Sequence, residues 1–417
     1  MRIAVCMNEF PKISEKFILY QIKDLIDLGH EVHIYAFLRS KENKVHPEVE
    51  QYNFLSRTTY FEQLPPKRHQ RCLKTLGGIL RFGLFYPREI YSCLCDKDTP
   101  AFFDKIKNLC ILEKFLGKNI EVIHCHFGTV ASQLIFLKKI FPYMKFFTTF
   151  HLYDLRLGLE KGGAIYQELF RRVDRIISIC SYNRETLVRL GCPESKLLNH
   201  HNGIDTKVFS PGHVKNQSKY SIITTVARLV EQKNIPFALD VIKALKNQNK
   251  YRFKYCLIGN GHLKNEIDKR IKELDIADCV ITLGELSSDD VIVRLQETDI
   301  FFLPSLHEAF PTVLLEAQAV GIPVVATDVG GTRETFIHGT SGYLIPANDL
   351  AEATSRICQL LENKALRKQF GFSGRQFIEK NFNISELNRR LVQLYDSLPS
   401  VIIPYPNETK NEHRLSH

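Results

Sequence analysis

No apolar run in the 417 residues reaches the ~18 to 20 needed to cross a bilayer, so no transmembrane helix is expected. The start, Met1-Arg2-Ile3-Ala4-Val5-Cys6-Met7-Asn8, is too short for the apolar core of a signal peptide and carries no cleavage site. The eleven cysteines are odd in number and scattered. No CxxC pair occurs, and Cys93 and Cys95 are the one close pair. This argues against a disulfide framework and predicts buried free thiols in a reducing cytosol. No Asp-x-Asp lies near a strand end and no cysteines cluster, so neither a metal nor any other cofactor is expected. A Walker A loop and a nucleophile elbow are both missing, which removes P-loop and α/β-hydrolase chemistry. There is no short repeat, no low-complexity tract and no RNA- or DNA-binding motif, so no nucleic-acid partner is expected.

What is present is globular. Hydrophobic residues make up 44% and charged residues 24%, and the length asks for two domains. The net charge of +10 is uneven, with 30 Lys and Arg against 22 Asp and Glu in residues 1–205, and 26 against 24 afterwards. The densest patch spans 67–91, where Lys67, Arg68, Arg71, Lys74, Arg81 and Arg88 face Glu89 alone. Leu80, Phe82, Leu84, Phe85 and Tyr86 interleave with these cations. Such a stretch lies on an anionic membrane surface, forms a solvated helix face or binds nucleic acid, the last without a motif to support it.

Short β-rich runs alternate with helical ones, which predicts an α/β protein of parallel sheets covered by helices on both faces. Expected strands are Arg2–Met7, Glu31–Phe37, Val122–His126, Phe146–Phe150 and Arg175–Ile179, then Ile222–Ala227, Tyr255–Ile258, Val280–Leu283, Ile300–Leu303 and Val324–Ala326. A helix is expected over Lys16–Leu28, stopped by Gly29, and a last one over Ser385–Ser397. Residues 40–115 read as helix and loop without clear boundaries. The polar segment Asn199–Lys219, with Asn202-Gly203 and Pro211-Gly212, marks a domain boundary. Two similar α/β units would bind a ligand in the crevice between them.

Candidate chemistry sits at or just after strand ends. Glu308 and Glu316 flank Phe310-Pro311-Thr312 and an apolar run, and Gly330-Gly331 follows. A carboxylate accepts two hydrogen bonds at once and suits vicinal sugar hydroxyls. Pro311 can open a helix whose free N–H groups favour an anion. The alternative is that both glutamates make ordinary salt bridges. Arg228 and Lys233, leaving a strand five residues apart, can clamp a diphosphate and neutralise charge on a departing nucleoside diphosphate, or be plain exposed cations. Gly259-Asn260-Gly261 allows close backbone approach to a ligand, but Lys264 stands where the NAD fingerprint needs a third glycine. His151, with Asp154 three residues on, could donate to a sugar hydroxyl, though a lone histidine is more often structural; Asn202, Gly203 and Asp205 meet a sugar or form a plain hinge turn on equal footing.

Taken in order, Arg228…Lys233, Gly259-Asn260-Gly261, Glu308…Glu316 and Gly330-Gly331 resemble family 4 glycosyltransferases of the GT-B fold. Phe10-Pro11-Lys12-Ile13-Ser14-Glu15-Lys16-Phe17-Ile18, His126-Phe127-Gly128 and Phe150-His151-Leu152-Tyr153-Asp154-Leu155 look like the branch that builds colanic acid and other exopolysaccharides. The sequence departs from the usual pattern at Lys16, Leu152, Asn234 and Ala309, and Ser14 and Glu15 stand in place of paired glycines.

The resemblance implies two Rossmann-like doubly wound domains facing across a cleft. An acceptor domain would span 1–205 and a nucleotide-sugar domain 206–382. A helix at 383–398 would cross back to the first domain, and a mobile tail would follow at 399–417. It implies a hexosyltransferase, which the scattered thiols place in the cytoplasm and the 67–91 segment would hold at the inner face of the membrane, where a lipid-linked acceptor is expected. The enzyme would transfer a sugar with retention and without a metal, from a nucleotide-sugar to a saccharide or lipid-linked acceptor. Arg228 and Lys233 would hold the diphosphate, Glu308 the sugar hydroxyls, Glu316 the ribose, and His151 would lie near the scissile bond. A non-catalytic nucleotide-sugar-binding subunit and a sugar-nucleotide epimerase remain alternatives.

Overall fold

The computed structural model describes residues 1–12, 15–41, 46–61, 70, 73, 76–78, 81–99, 101–212 and 219–398. Ser14, the cations Lys67, Arg68, Arg71 and Lys74, and the tail after 398 lie outside the described residues.

The chain divides into two compact units. One comprises Met1–Ile177, Leu190–Leu198 and the chain from Arg390 on; the other comprises Ser178–Arg189 and Asn199–Arg389. The last helix, Ile384–Asp396, contributes residues to both.

The first unit is built on β1 (Arg2–Phe10), β2 (Glu31–Arg39), β3 (Thr58–Tyr60), β4 (Val122–His126), β5 (Lys145–Phe150), β6 (Arg175–Ser178) and β7 (Leu197–Asn199). They lie side by side as β3-β2-β1-β4-β5-β6-β7. Neighbours from β3 to β5 run parallel. β4 and β5 are buried at every position, as expected for strands covered on both faces. The helix Lys16–Asp27 buries Ile18, Leu19, Ile22 and Leu25 on one face, against a core of Ile3, Val5, Ile34 and Val122. It ends at Gly29, whose φ of +84° a side chain would resist.

The second unit has β8 (Ser221–Val226), β9 (Phe253–Ile258), β10 (Val280–Gly284), β11 (Ile300–Leu303), β12 (Val324–Thr327) and β13 (Gly342–Ile345). The order is β10-β9-β8-β11-β12-β13, parallel throughout. The core on one side joins Ile223, Tyr255, Ile300 and Val325 to Phe237, Val241 and Ile242 of the helix Ile235–Asn247. In each sheet the winding reverses direction once, between β1 and β4 and between β8 and β11. Ligands of doubly wound sheets bind at the carboxyl ends of the strands flanking that point. Among the described residues, no helix is long and apolar enough to cross a membrane.

Candidate active site

In the second unit, four neighbouring strands each deliver sequence-predicted residues from their carboxyl ends. Arg228 and Lys233 follow β8, Gly259 and Gly261 follow β9, Glu308 follows β11, and Gly330 and Gly331 follow β12. The loops are tied together. Leu306 N donates to Gln232 O at 2.8 Å. Lys233 Nζ donates to Glu308 Oε1, and Ser305 Oγ donates to the same oxygen at 2.7 Å. Glu308 is buried and Lys233 half-buried, so this is a sheltered ion pair. Asn234 adopts φ +50°, a left-handed conformation that Asn tolerates better than most residues.

Arg228 is exposed and lines a cavity of about 630 Å³ with Gly259, Asn260, Gly261 and Glu285. Val226, Ile258, Leu286 and Val291 give that cavity an apolar side. The glycines have a packing reason of their own. A Cβ on Gly259 would stand 1.8 Å from Ala227 O, and one on Gly261 2.2 Å from Leu229 O. Gly330 and Gly331 would meet Glu308 O at 1.7 Å and Ala309 O at 2.1 Å, so the second glycine turn seats directly on the Glu308 loop.

The helix Thr312–Ala319 begins one residue after Pro311, which precedes the helix instead of occupying its first position. Thr312 and Glu316 are half-buried on it. Phe310 is buried against His201 and Phe382, with ring centroids at 5.3 and 5.6 Å. Gly203 is buried where a Cβ would strike Ile384 Cα at 2.8 Å, and Asn202 beside it is half-buried.

In the first unit, His126 ends β4 and His151 follows β5. Their rings stack at 5.8 Å, and Phe17 lies 5.0 Å from His151 and 5.9 Å from His126. Both nitrogens of His126 and Nε2 of His151 are buried without a hydrogen-bond partner. Burial pushes the His151 pKa down to about 3 and that of His126 well below its usual value, so both rings are neutral. Phe127, between His126 and the helix Gly128–Leu134, has φ +78° and ψ 131°. For a bulky residue this costs on the order of 1 to 3 kcal/mol, and such strain gathers at functional sites. Asp154 is fully buried; its carboxylate accepts from His151 N at 3.1 Å and Thr129 N at 3.2 Å. It fixes the two loops in place, and burial raises its pKa to about 6. Glu15 pairs with Lys12 Nζ at 3.4 Å.

Comparison with known proteins identifies the family and the fold. The family model "Glycosyl transferases group 1" matches residues 209–377, and "Glycosyltransferase Family 4" matches 14–208. The candidate colanic acid biosynthesis glycosyltransferase WcaL of Escherichia coli strain K12 is 30% identical, over 95% of this chain and all of that one. The chain belongs to the family 4 glycosyltransferases. The amylovoran biosynthesis glycosyltransferase AmsK of Erwinia amylovora is 29% identical over the same shares. The crystal structure of Anabaena HepE in complex with UDP superposes with a TM-score of 0.71 at 15% identity, covering 95% of this chain and all of that one. At that identity the likeness is one of fold, and the fold is GT-B.

In this glycosyltransferase the loops around Glu308 and Gly331 are also held by residues to which the sequence alone assigned no role. Glu334, at the end of the second glycine turn, accepts from Ser181 N at 2.7 Å and meets His201 Nε2 at 3.1 Å. Burial opposes its charge, but these partners hold its pKa below the usual range. Cys180 donates to Ala309 O at 3.1 Å, and burial pushes its thiol up to about 12. Both partners of Glu334 are more than a hundred residues away, so no local pattern could reveal the contact.

Proposed function

We propose that this glycosyltransferase of polysaccharide biosynthesis transfers its sugar with retention of configuration and without a metal ion, from a nucleotide-sugar to a lipid-linked saccharide. The observation that carries the reading is the Lys233–Glu308 pair, held between the loops of β8 and β11 where the winding reverses. In this mechanism Arg228 and Lys233 take up the charge that builds on the diphosphate as the sugar–oxygen bond breaks. Glu308 receives sugar hydroxyls and Glu316 those of the ribose. The nucleoside diphosphate leaves first. The acceptor hydroxyl then bonds to the anomeric carbon on the same face, and its proton passes to the leaving phosphate. No side-chain base is required. His151, neutral throughout the physiological range, serves as a hydrogen-bonding partner for a sugar hydroxyl and not as an acid.

The test is a thermal-shift screen against UDP-, GDP- and ADP-sugars. A ligand at about a hundred times its dissociation constant adds about 2.7 kcal/mol of stability. One sugar nucleotide class should raise the melting temperature; a flat response to all three would remove the reading.

A further inference from the structure

Two large apolar side chains stand next to each other in water at one turn of the first unit. Leu84 is 88% exposed and Phe85 72% exposed. The turn is held by its backbone: Phe85 N and Tyr86 N both donate to Phe82 O, at 3.1 and 2.8 Å. Pro87 then opens the helix Pro87–Leu94. That helix buries Ile90 and Cys93 and leaves Arg88 and Tyr91 exposed, Tyr91 by 70%. Residues three apart share a helix face, so Arg88 and Tyr91 stand on one exposed face of the helix that follows the turn. Arg81 stands before the turn, its guanidinium 5.2 Å from the Phe82 ring. Glu89 is the one acid between Arg81 and Cys95.

Single exposed apolar residues are ordinary, but an adjacent pair at a turn tip needs a reason. Here cations stand on both sides and a tyrosine lies one turn away. That is the composition of a segment that sinks its apolar tip below lipid headgroups while Arg and Tyr stay at their level. A solvated helix face does not call for Leu84 and Phe85.

We propose that the turn Phe82–Tyr86 is a wedge that inserts into a bilayer containing anionic lipids, with Arg81, Arg88 and Tyr91 at the headgroups. Insertion differs from adsorption by charge alone, because part of the affinity survives high salt. The inference deepens the lipid-linked-acceptor reading, rests on it, and is measured separately from it.

The experiment is co-sedimentation of the full chain with phosphatidylcholine vesicles, with and without phosphatidylglycerol. Binding to the anionic vesicles is expected, and a measurable fraction should persist at about 1 M salt, where the screening length is only about 3 Å. Leu84→Ser with Phe85→Ser should lower partitioning at least tenfold at either salt. Arg81→Gln with Arg88→Gln should lower it a few-fold and only at low salt. The chain has no tryptophan, so Phe85→Trp places a single reporter at the tip. Its emission should shift to the blue and be quenched by bromine-labelled lipid. Absence of vesicle binding, unchanged binding of the Leu84/Phe85 variant, or an unshifted emission from the tryptophan reporter would each overturn the wedge. So would a concentration-dependent dimer that the same serine substitutions dissolve. A chain that binds vesicles but no sugar nucleotide would sink the catalytic reading and leave the wedge standing. The reverse result would sink the wedge alone.

Discussion

Lys233 and Glu308, seventy-five residues apart in sequence, form a sheltered ion pair at the carboxyl ends of adjacent strands. The ammonium that the proposed mechanism assigns to a diphosphate therefore has a carboxylate partner before any ligand arrives. A phosphate would compete for that ammonium and free Glu308 for a hydroxyl.

The first prediction concerns this pair. Lys233→Ala should lower turnover more than donor affinity, because the ammonium matters most as charge develops on the leaving group. It should also cost on the order of 1 to 3 kcal/mol of stability, because a buried carboxylate is left with Ser305 as its remaining observed partner. Nucleotide-release kinetics and a denaturant melt measure the two effects. Normal turnover in the variant would remove Lys233 from the mechanism.

Glu316→Ala should act on binding instead. Losing hydrogen bonds to an uncharged ribose costs about 1 to 3 kcal/mol, roughly a five- to hundredfold loss of affinity for the nucleotide-sugar found in the screen. Turnover at saturation should change little. Unchanged affinity by calorimetry would separate Glu316 from the ribose.

Acid should destabilise the protein through its buried histidines. His151 stays neutral in the fold down to about pH 3 but takes up a proton near pH 6.5 when unfolded. Stability is therefore lost as pH falls below 6.5, by about 1.4 kcal/mol per pH unit for each such histidine. His126 adds to the loss in the same direction. Asp154 acts oppositely below pH 6, because its raised pKa lets the folded chain bind a proton before the unfolded chain does. Stability by urea titration should thus fall steadily between about pH 6.5 and 5, with Asp154 offsetting part of the histidine loss below pH 6. His151→Gln should flatten the fall, and a pH-independent midpoint between about 7.5 and 5 would contradict these assignments.

His126 carries a stability cost at rest. It is 2% exposed, and neither ring nitrogen finds a partner. Relieving a buried unsatisfied polar group is worth about 1 to 3 kcal/mol. His126→Phe, similar in shape and apolar, should therefore raise the melting temperature by a few degrees. A fall would mean that the imidazole is satisfied in solution.

Much of this architecture was legible because strands buried on both faces are continuous apolar runs. Val122–His126 and Ile300–Leu303 were expected where they lie. The first two strands extend past their expected ends, to Phe10 and Arg39, through residues that look like loop. The strands Thr58–Tyr60, Leu197–Asn199 and Gly342–Ile345 were missed, being short and, in two cases, polar or glycine-led. Pro311 was expected inside its helix and lies just before it. In the site, spacing and family resemblance named Lys233 and Glu308, whereas Ser305, Cys180 and Glu334 work through contacts that only folding creates. Glycines 259 and 261 were read as openings for a ligand. They and glycines 330 and 331 also stand where neighbouring backbone leaves no room for a Cβ, a reason that spacing does not encode.

The most direct test of the donor site is calorimetric titration of UDP, GDP and ADP into the wild-type chain and into an Arg228→Ala/Glu316→Ala double variant. The account predicts that one of these nucleotides binds the wild-type chain and binds the variant at least about a hundredfold more weakly, the equivalent of about 2.8 kcal/mol. Equal binding by both proteins, or no binding of any of the three to the wild-type chain, would contradict it.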